Sequence, residues 1–199
     1  MSIAVAIAKQ GTIMLAADTQ ENFGDRRVDR ANHRASKVLR VGSSFVATTG
    51  WGLYDNILED YLGRTPAPRL GSRQAVFAYF MRLWKQLGDR YTLVNDQPHQ
   101  DDNSPFADVD ASFLVVNAAG IFHVASNLSV TPFHQYYAVG SGASYALGAL
   151  HVLYDGLGAE ALARRACEAA MAFDVFCGGD VDVYRVVARK RTARRRAAR

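Results

Sequence analysis

The sequence has few cysteines and no long apolar run, and both absences narrow the class of protein. Cys167 and Cys177 are the only two cysteines among 199 residues. They are too few for a disulfide framework, and neither has a second Cys or a His at a metal-ligand spacing. No apolar run reaches the roughly 18–20 residues that span a bilayer. The apolar start lacks the features of a signal peptide, so we expect a cytoplasmic protein with reduced thiols.

Motifs for several common kinds of active site are also missing. The sequence contains no Gly-rich phosphate loop, no pair of histidines at zinc spacing and no nucleophile-elbow motif. These absences argue against a P-loop nucleotide-binding protein, a zinc peptidase and an α/β-hydrolase. We expect neither a metal nor an organic cofactor.

The composition is that of a globular protein with a basic end. Hydrophobic residues make up 49% and charged residues 21% of the chain, and its length suits one domain with a real core. Seven of the last eleven residues are basic, and without them the net charge of +4 becomes about −3. We predict a single domain over residues 1–188 and a basic, disordered tail over 189–199. Non-specific contact between the tail and nucleic acid or an acidic partner is the alternative, although the tail alone does not indicate a nucleic-acid-binding protein.

Apolar periodicity predicts strands and helices in alternating groups. Runs rich in β-branched residues indicate strands, and apolar residues three and four positions apart indicate helices. The predicted strands cover residues 2–8, 12–17, 37–41, 44–49, 111–117, 120–125, 136–140 and 180–187. One helix is predicted after Gly52, a second at about 72–89 with Ser72 as its N-cap, and two more at about 142–154 and 159–173. This order favours an α+β fold in which two sheets pack together with helix pairs outside.

Ser2 is a candidate nucleophile if Met1 is removed. Methionine aminopeptidase removes Met1 readily when residue 2 is small, and Ser2 would then carry a hydroxyl and a free α-amine. The reference pKa of that amine, roughly 7.7–8.0, allows it to act as a general base for its own hydroxyl. Taken alone, however, Ser2 is an ordinary second residue.

Other polar residues at the ends of predicted strands are candidate partners of Ser2 in catalysis. Asp18 ends the second strand, which pairs with the first, so we expect Asp18 near Ser2. Lys37 begins the next hairpin and would be held ionised by Asp18; its fixed charge would lower the pKa of a nearby amine. The backbone N–H of Gly50 is a candidate oxyanion donor.

Five segments of the sequence resemble proteasome β subunits and their bacterial homologue HslV. They begin with the Ser2 strand leading to Ala-Ala-Asp18, followed by Lys37-Val-Leu-Arg-Val and Thr-Thr-Gly50. The second half adds Ala138-Val-Gly-Ser-Gly142 and Asp174-Val-Phe-Cys-Gly-Gly179. The resemblance covers nearly the whole chain and implies the N-terminal-nucleophile (Ntn) hydrolase fold. That fold is a four-layer αββα sandwich of two antiparallel sheets flanked by helix pairs.

The resemblance implies a role for each matching position. Ser2 stands where the family has its nucleophilic Thr, Asp18 and Lys37 match the charged pair that tunes it, and Gly50 matches the oxyanion-hole glycine. Ser is competent in kind, but it lacks the β-methyl that helps to fix the rotamer of Thr.

A second group of positions matches residues that contact and orient the N-terminal amine. Ser141 and Asp174 match that pair, and Cys177 stands where a Ser usually completes the set. A thiol is the weaker hydrogen-bonding group, so this relay would be loosened. By position, Ala35, Leu39 and Thr48 would line an apolar, mid-sized primary specificity pocket.

The leading hypothesis is a subunit of a self-compartmentalising peptidase that cleaves unfolded proteins or peptides through an acyl-enzyme. Such subunits form rings, here expected to be a homo-oligomeric double ring, and an ATPase unfoldase is a further possible partner. The aromatic residues Phe77, Tyr79, Phe80 and Trp84 on the second helix suit either subunit contacts or ordinary core. Two alternatives keep the fold: an Ntn-type amidase acting on non-peptide amides, or an inactive ring-forming scaffold in which Met1 is retained.

Overall fold

Two antiparallel sheets form the centre of the structure, a computed structural model that describes residues 2–28, 30–33, 36–91 and 109–189. Within these residues the strands are β1 (Ala4–Lys9), β2 (Thr12–Asp18), β3 (Glu21–Phe23), β4 (Arg26–Val28), β5 (Val38–Val41), β6 (Ser44–Gly50), β7 (Ala111–Asn117), β8 (Gly120–Val124), β9 (Val130–Phe133), β10 (Tyr136–Val139) and β11 (Val181–Val187). The strand order is β10-β1-β2-β11 in one sheet and β5-β6-β7-β8-β9 in the other, while β3 and β4 form a separate hairpin.

In the part of the chain that the structure describes, four α-helices accompany the sheets: α1 (Leu53–Arg64), α2 (Arg73–Arg90), α3 (Ala143–Leu153) and α4 (Ala159–Phe173). A short 3-10 helix covers Arg30–Asn32. The predicted N-cap of α2 is confirmed, because the Ser72 hydroxyl accepts a hydrogen bond from Ala75 N–H at 3.2 Å. This bond satisfies one of the N–H groups that the first turn of a helix leaves unpaired.

Three apolar clusters show that the elements form four layers. One cluster joins α1 and α2 to the five-stranded sheet, a second joins α3 and α4 to the four-stranded sheet, and a third lies between the two sheets. Strand β1 contributes to two of them: Val5 and Ile7 face the helices, whereas Ala4 and Ala6 face the other sheet. Alternate side chains of a strand point to opposite faces, so a strand that is apolar throughout must be covered on both. The predicted αββα sandwich is confirmed.

The aromatic residues of α2 divide between core and surface. Tyr79 and Phe80 are buried and pack against each other edge to face, and Phe80 also contacts Phe113 of β7. Trp84 is partly buried against the same cluster, while Phe77 is 46% exposed. Most of this face therefore belongs to the core of the chain itself.

Strand β9 was not expected from the sequence. Its residues Val130–Phe133 include Pro132, which cannot donate a hydrogen bond to a neighbouring strand. The strand lies at the edge of the five-stranded sheet, paired on one side with β8, which is where proline is tolerated.

Two predicted segments fall largely outside the described residues: the solvated loop at 95–110 up to residue 108, and the basic tail beyond Arg189. Among the helices that the structure describes, none combines the length and apolar character needed to cross a membrane.

Candidate active site

The pairing of β1 with β2 places Asp18 beside the start of the chain. Ala4 lies opposite Ala17, and one step further Asp18 N–H donates to the Ile3 carbonyl at 3.1 Å. Ser2, which is 5% exposed, is therefore next to Asp18 at this end of the sheet. This is the juxtaposition that the hairpin pattern predicts.

The Asp18 carboxylate is enclosed and accepts hydrogen bonds from three described donors. Oδ1 accepts from Lys37 Nζ at 2.8 Å and from Ile3 N–H at 3.0 Å, and Oδ2 accepts from Gly178 N–H at 3.0 Å. Asp18 is 1% exposed and Lys37 is 7% exposed. A buried ion pair is tolerated only when further hydrogen bonds satisfy its remaining oxygens and protons, and the two backbone donors do this for Asp18.

Glycine is required at the turn that delivers one of those donors. Gly179 has φ of +76°, a conformation that side chains rarely adopt, and a Cβ there would lie 2.6 Å from Thr19 Oγ1. A Cβ on Gly178 would collide with the Gln20 side chain. The positive φ of Gly179 therefore favours glycine at the turn that brings Gly178 N–H to Asp18, whereas a side chain at position 178 would require the Gln20 amide to move.

The Gly140-Ser141-Gly142 turn packs directly on Ser2. Gly140 has φ of +105°, and a Cβ there would collide with the Ser2 carbonyl oxygen. A Cβ on Gly142 would lie 2.7 Å from Ala170 Cβ and 2.9 Å from Cys177 Sγ. Gly140 thus lets the turn approach Ser2, and Gly142 lets the start of α3 approach α4 and Cys177.

Asp174, Ser141 and Cys177 form a second cluster on that side of Ser2. The Cys177 thiol donates to Asp174 Oδ2 at 3.4 Å and lies 4.0 Å from Ser141 Oγ. Burial acts to raise the pKa of Asp174, but hydrogen bonds from Ser141, Phe176 N–H and Cys177 outweigh it and hold the pKa below its usual value. Asp174 is therefore an ionised acceptor.

Cys177 is a neutral thiol and not a competing nucleophile. Burial, assisted by the negative charges of Asp18 and Asp174, raises its pKa to about 12. The thiolate is the reactive form of cysteine, and at neutral pH this group stays protonated.

Ser2, Lys37, Thr48 and Gly50 line one cavity of about 440 Å³. Gly50 ends β6 with φ of +126°, and a Cβ there would collide with the Asp110 carbonyl oxygen. The cavity therefore brings together the candidate nucleophile, the candidate charge and the candidate oxyanion glycine. Its size lies within the range of about 300–1,000 Å³ that is usual for ligand sites.

The remaining predicted positions do not all lie at this cavity. Ser141 lines a more open depression that shares Gly50 with the cavity. Thr48 lines the cavity, but Leu39 packs against the cluster beneath α1 and α2 and is not among the lining residues. Ala35 lies outside the described residues.

Sequence reasoning missed most of the polar lining. The additional residues are Glu21, Asn22, Gly24, Trp51, Gly52, Asp55, Asp110 and Phe176. The cavity is thus more polar and more acidic than the apolar pocket expected from Ala35, Leu39 and Thr48. Asp55 was overlooked because an acid in the first turn of a helix is common for electrostatic reasons alone.

No group of three or more His, Cys, Asp or Glu side chains in the described part of the chain has the arrangement of a metal site.

Comparison with solved structures finds the same fold over nearly the entire chain. Thiobacillus denitrificans BPH in complex with epoxomicin is 31% identical, with a TM-score of 0.85, and the match covers 94% of this chain and 99% of that one. A second structure of Thiobacillus denitrificans BPH is 33% identical with a TM-score of 0.84 and the same coverage. Eukaryotic HslV from Trypanosoma brucei shares the fold at 23% identity and a TM-score of 0.66, covering 93% of this chain and 99% of that one. No family model and no curated protein matches the chain.

Proposed function

Because this chain belongs to the family of proteasome β subunits, HslV and the bacterial proteasome homologue BPH, we propose that it is a self-compartmentalising peptidase subunit whose nucleophile is Ser2 after removal of Met1. The observation that carries the proposal is the cavity that Ser2, Lys37 and Gly50 line together, with Lys37 fixed by its buried pair with Asp18. Nucleophile, charge and oxyanion donor are the parts that acyl transfer needs.

The first step forms an ester between enzyme and substrate. Ser2 Oγ attacks the carbonyl carbon of the peptide bond while the α-amine of Ser2 accepts the hydroxyl proton. The negative charge that develops on the carbonyl oxygen is stabilised by the backbone N–H of Gly50. The same amine then gives its proton to the leaving nitrogen, and the C–N bond breaks.

The second step hydrolyses the ester. The α-amine takes a proton from water, the hydroxide attacks the ester carbonyl, and the proton returns to Ser2 Oγ as the acid product leaves. The Ser2 hydroxyl and the α-amine return to their starting protonation states, so the two steps need no metal or organic cofactor to balance their protons.

Lys37 and Asp18 keep the amine in its basic form. A fixed positive charge disfavours a second one nearby, so the Lys37 ammonium favours the neutral amine. Asp18 holds that ammonium in place at 2.8 Å. Ser141, Asp174 and Cys177 orient the amine from the other side.

The proposed assembly is a homo-oligomeric double ring in the cytoplasm that encloses the active sites and degrades unfolded proteins or peptides. An ATPase that unfolds substrates is the proposed partner. The solved BPH complex contains epoxomicin, and we expect the same compound to inhibit this peptidase.

The test replaces the nucleophile and a matched serine. Ser2→Ala is expected to assemble normally and to lose turnover of fluorogenic peptides by about a thousandfold or more, because the acyl-enzyme cannot form. The control is Ser43→Ala, in the exposed turn between β5 and β6, which should retain full activity.

Each alternative gives a different result in the same experiment. Turnover of non-peptide amides without turnover of peptides would support the amidase. No turnover by an assembled wild-type protein that retains Met1 would support the inactive scaffold.

A further inference from the structure

The cavity carries more acid than the proposed chemistry uses. Glu21 on β3, Asp55 on α1 and Asp110 before β7 all line it. Among its described lining residues, Lys37 is the only cation. Lys37 is already paired with Asp18 at 2.8 Å, so it does not neutralise the other carboxylates.

Asp55 has acceptor capacity that no described group uses. The described residues give the carboxylate one side-chain donor, the Thr48 hydroxyl, which is enclosed beside it. Both side chains line the cavity, and Thr48 is 3% exposed. Buried polar groups in native proteins are nearly always satisfied, and leaving one unpaired costs stability. A carboxylate with a single hydroxyl donor at a cavity wall therefore has lone pairs left for a ligand that donates hydrogen bonds.

The environment of Asp55 favours a cation in that role. The pKa of Asp55 is raised to about 6, mainly by burial. The negative charges of Glu21 and Glu59 add to the rise, while the hydrogen bond from Thr48 and the positive charge of Lys37 oppose it. The carboxylate is still mostly ionised at neutral pH, in a setting that solvates it poorly. An ammonium or guanidinium group would provide both hydrogen-bond donors and the missing charge.

A lysine or arginine side chain also suits the shape of the site. Its aliphatic stem can lie along the apolar surface that Phe176 and Trp51 contribute to the cavity, while its charged end reaches the carboxylate. Ser2 lines the same cavity, so the residue held there is close to the bond that is cut.

We propose that Asp55 is a specificity-determining residue that gives this peptidase a preference for substrates with a lysine or arginine side chain next to the cleaved bond. The proposal rests on the proposed function of Ser2. It replaces the apolar pocket expected from the sequence with an acidic one, in which Thr48 assists Asp55.

The first experiment measures kcat/KM for paired fluorogenic tripeptides that end in arginine or in leucine. Asp55→Asn keeps the size of the side chain and removes its charge. We expect it to lower kcat/KM for the arginine substrate by at least about tenfold, as for loss of a charge-assisted hydrogen bond, and to leave the leucine substrate within about twofold. An unchanged ratio of the two would overturn the proposal.

Glu59→Gln is the matched control. Glu59 lies one turn further along α1, is exposed and does not line the cavity, yet it carries the same charge. We expect its arginine-to-leucine ratio to stay at the wild-type value. An equal fall in both variants would mean that the general field of the helix, and not contact with Asp55, sets the preference.

The pH dependence of the wild-type ratio requires no substitution. As pH falls through about 6, Asp55 is protonated and the preference for arginine should weaken, whereas titration of the Ser2 amine affects both substrates alike and cancels in the ratio. A ratio that stays constant from pH 5 to 8 would contradict the proposal.

Binding separates this inference from the proposed function. The Ser2→Ala variant is titrated with the same two peptides as unlabelled amides. Tighter binding of the arginine peptide, lost on adding Asp55→Asn, supports the role of Asp55 whether or not Ser2 is the nucleophile; equal binding contradicts it. Cleavage of the peptides by Ser2→Ala would contradict the proposed function alone.

Discussion

Two aspartates near Ser2 differ in burial and in their hydrogen-bond partners. Asp18 is fully enclosed, and three described donors, one of them cationic, use both of its oxygens. Asp55 is half-buried, and the donor that the described residues give its carboxylate is the neutral Thr48 hydroxyl. A buried carboxylate whose oxygens are all used fixes the groups around it. A carboxylate with unused lone pairs can accept a donor that arrives with the substrate. This contrast supports the proposed roles, positioning for Asp18 and recognition for Asp55.

The largest expected effect comes from neutralising the satisfied aspartate. Asp18→Asn leaves the Lys37 ammonium buried without its counter-charge, which should lower the free energy of unfolding by about 3–5 kcal/mol. Urea denaturation measures the loss. The control is Asp182→Asn, whose ion pair with Arg30 is only partly buried, with both side chains about one third exposed, and should contribute less than about 1 kcal/mol. If the two variants lose equal stability, Asp18 does not have the role described.

A substitution at Gly140 tests whether the backbone packed on Ser2 is as constrained as the Asp18 ion pair. In Gly140→Ala, the positive φ and the collision with the Ser2 carbonyl should together cost about 2–3 kcal/mol and reduce kcat. Gly148→Ala is the matched substitution on α3, where a Cβ meets nothing within 4 Å. Because alanine is the better helix former, that variant should gain about 0.5–1 kcal/mol. Equal stability of the two variants would show that Gly140 is not constrained.

Asp55→Asn should change stability in the opposite direction from Asp18→Asn. The pKa of Asp55 rises from 3.8 to about 6 on folding, so its ionised form disfavours the folded state, with the full cost present above about pH 6. Removing the charge should stabilise the protein at pH 7.5 by about 1–2 kcal/mol, after allowing for lost interaction with the helix dipole. The gain should vanish below about pH 4, where both states are protonated. Denaturation of both proteins across this range measures it; a loss of stability at pH 7.5 would contradict the contrast.

The smallest expected effect is at Cys177, which belongs to the cluster with Ser141 and Asp174. Cys177 donates to Asp174 as a neutral thiol, and a serine hydroxyl at that position donates more strongly. Cys177→Ser should therefore raise kcat by no more than about threefold and leave KM unchanged. Steady-state kinetics with one peptide substrate suffice. A fall of more than tenfold would give the thiol a part in the chemistry.

The position of Asp18 beside Ser2 was predictable because it follows from strand pairing. Once residues 2–8 and 12–17 are recognised as a hairpin, Asp18 must lie beside Ser2, and the structure places it there. The glycines at 140, 142, 178 and 179 are likewise visible in the sequence, although the close contacts that require them are not.

The acidic wall of the cavity was not predictable, because its residues come from elements that are distant in sequence. Glu21 belongs to a short hairpin, Thr48 to β6 and Asp55 to α1, and only tertiary packing brings them to one cavity. In the sequence, Asp55 is indistinguishable from any acid in the first turn of a helix. Strand β9 escaped notice for a related reason, since an edge strand that contains Pro132 is stabilised by its pairing with β8 and not by its own propensity.

The N-terminal residue of the assembled protein tests the proposed nucleophile most directly. Only a chain that begins at Ser2 has a free α-amine and a hydroxyl on the same residue. Intact-mass measurement of the purified assembly, on the sample whose peptidase activity is assayed, should give the mass of the chain without Met1. An active assembly in which Met1 is fully retained would contradict the assignment of Ser2.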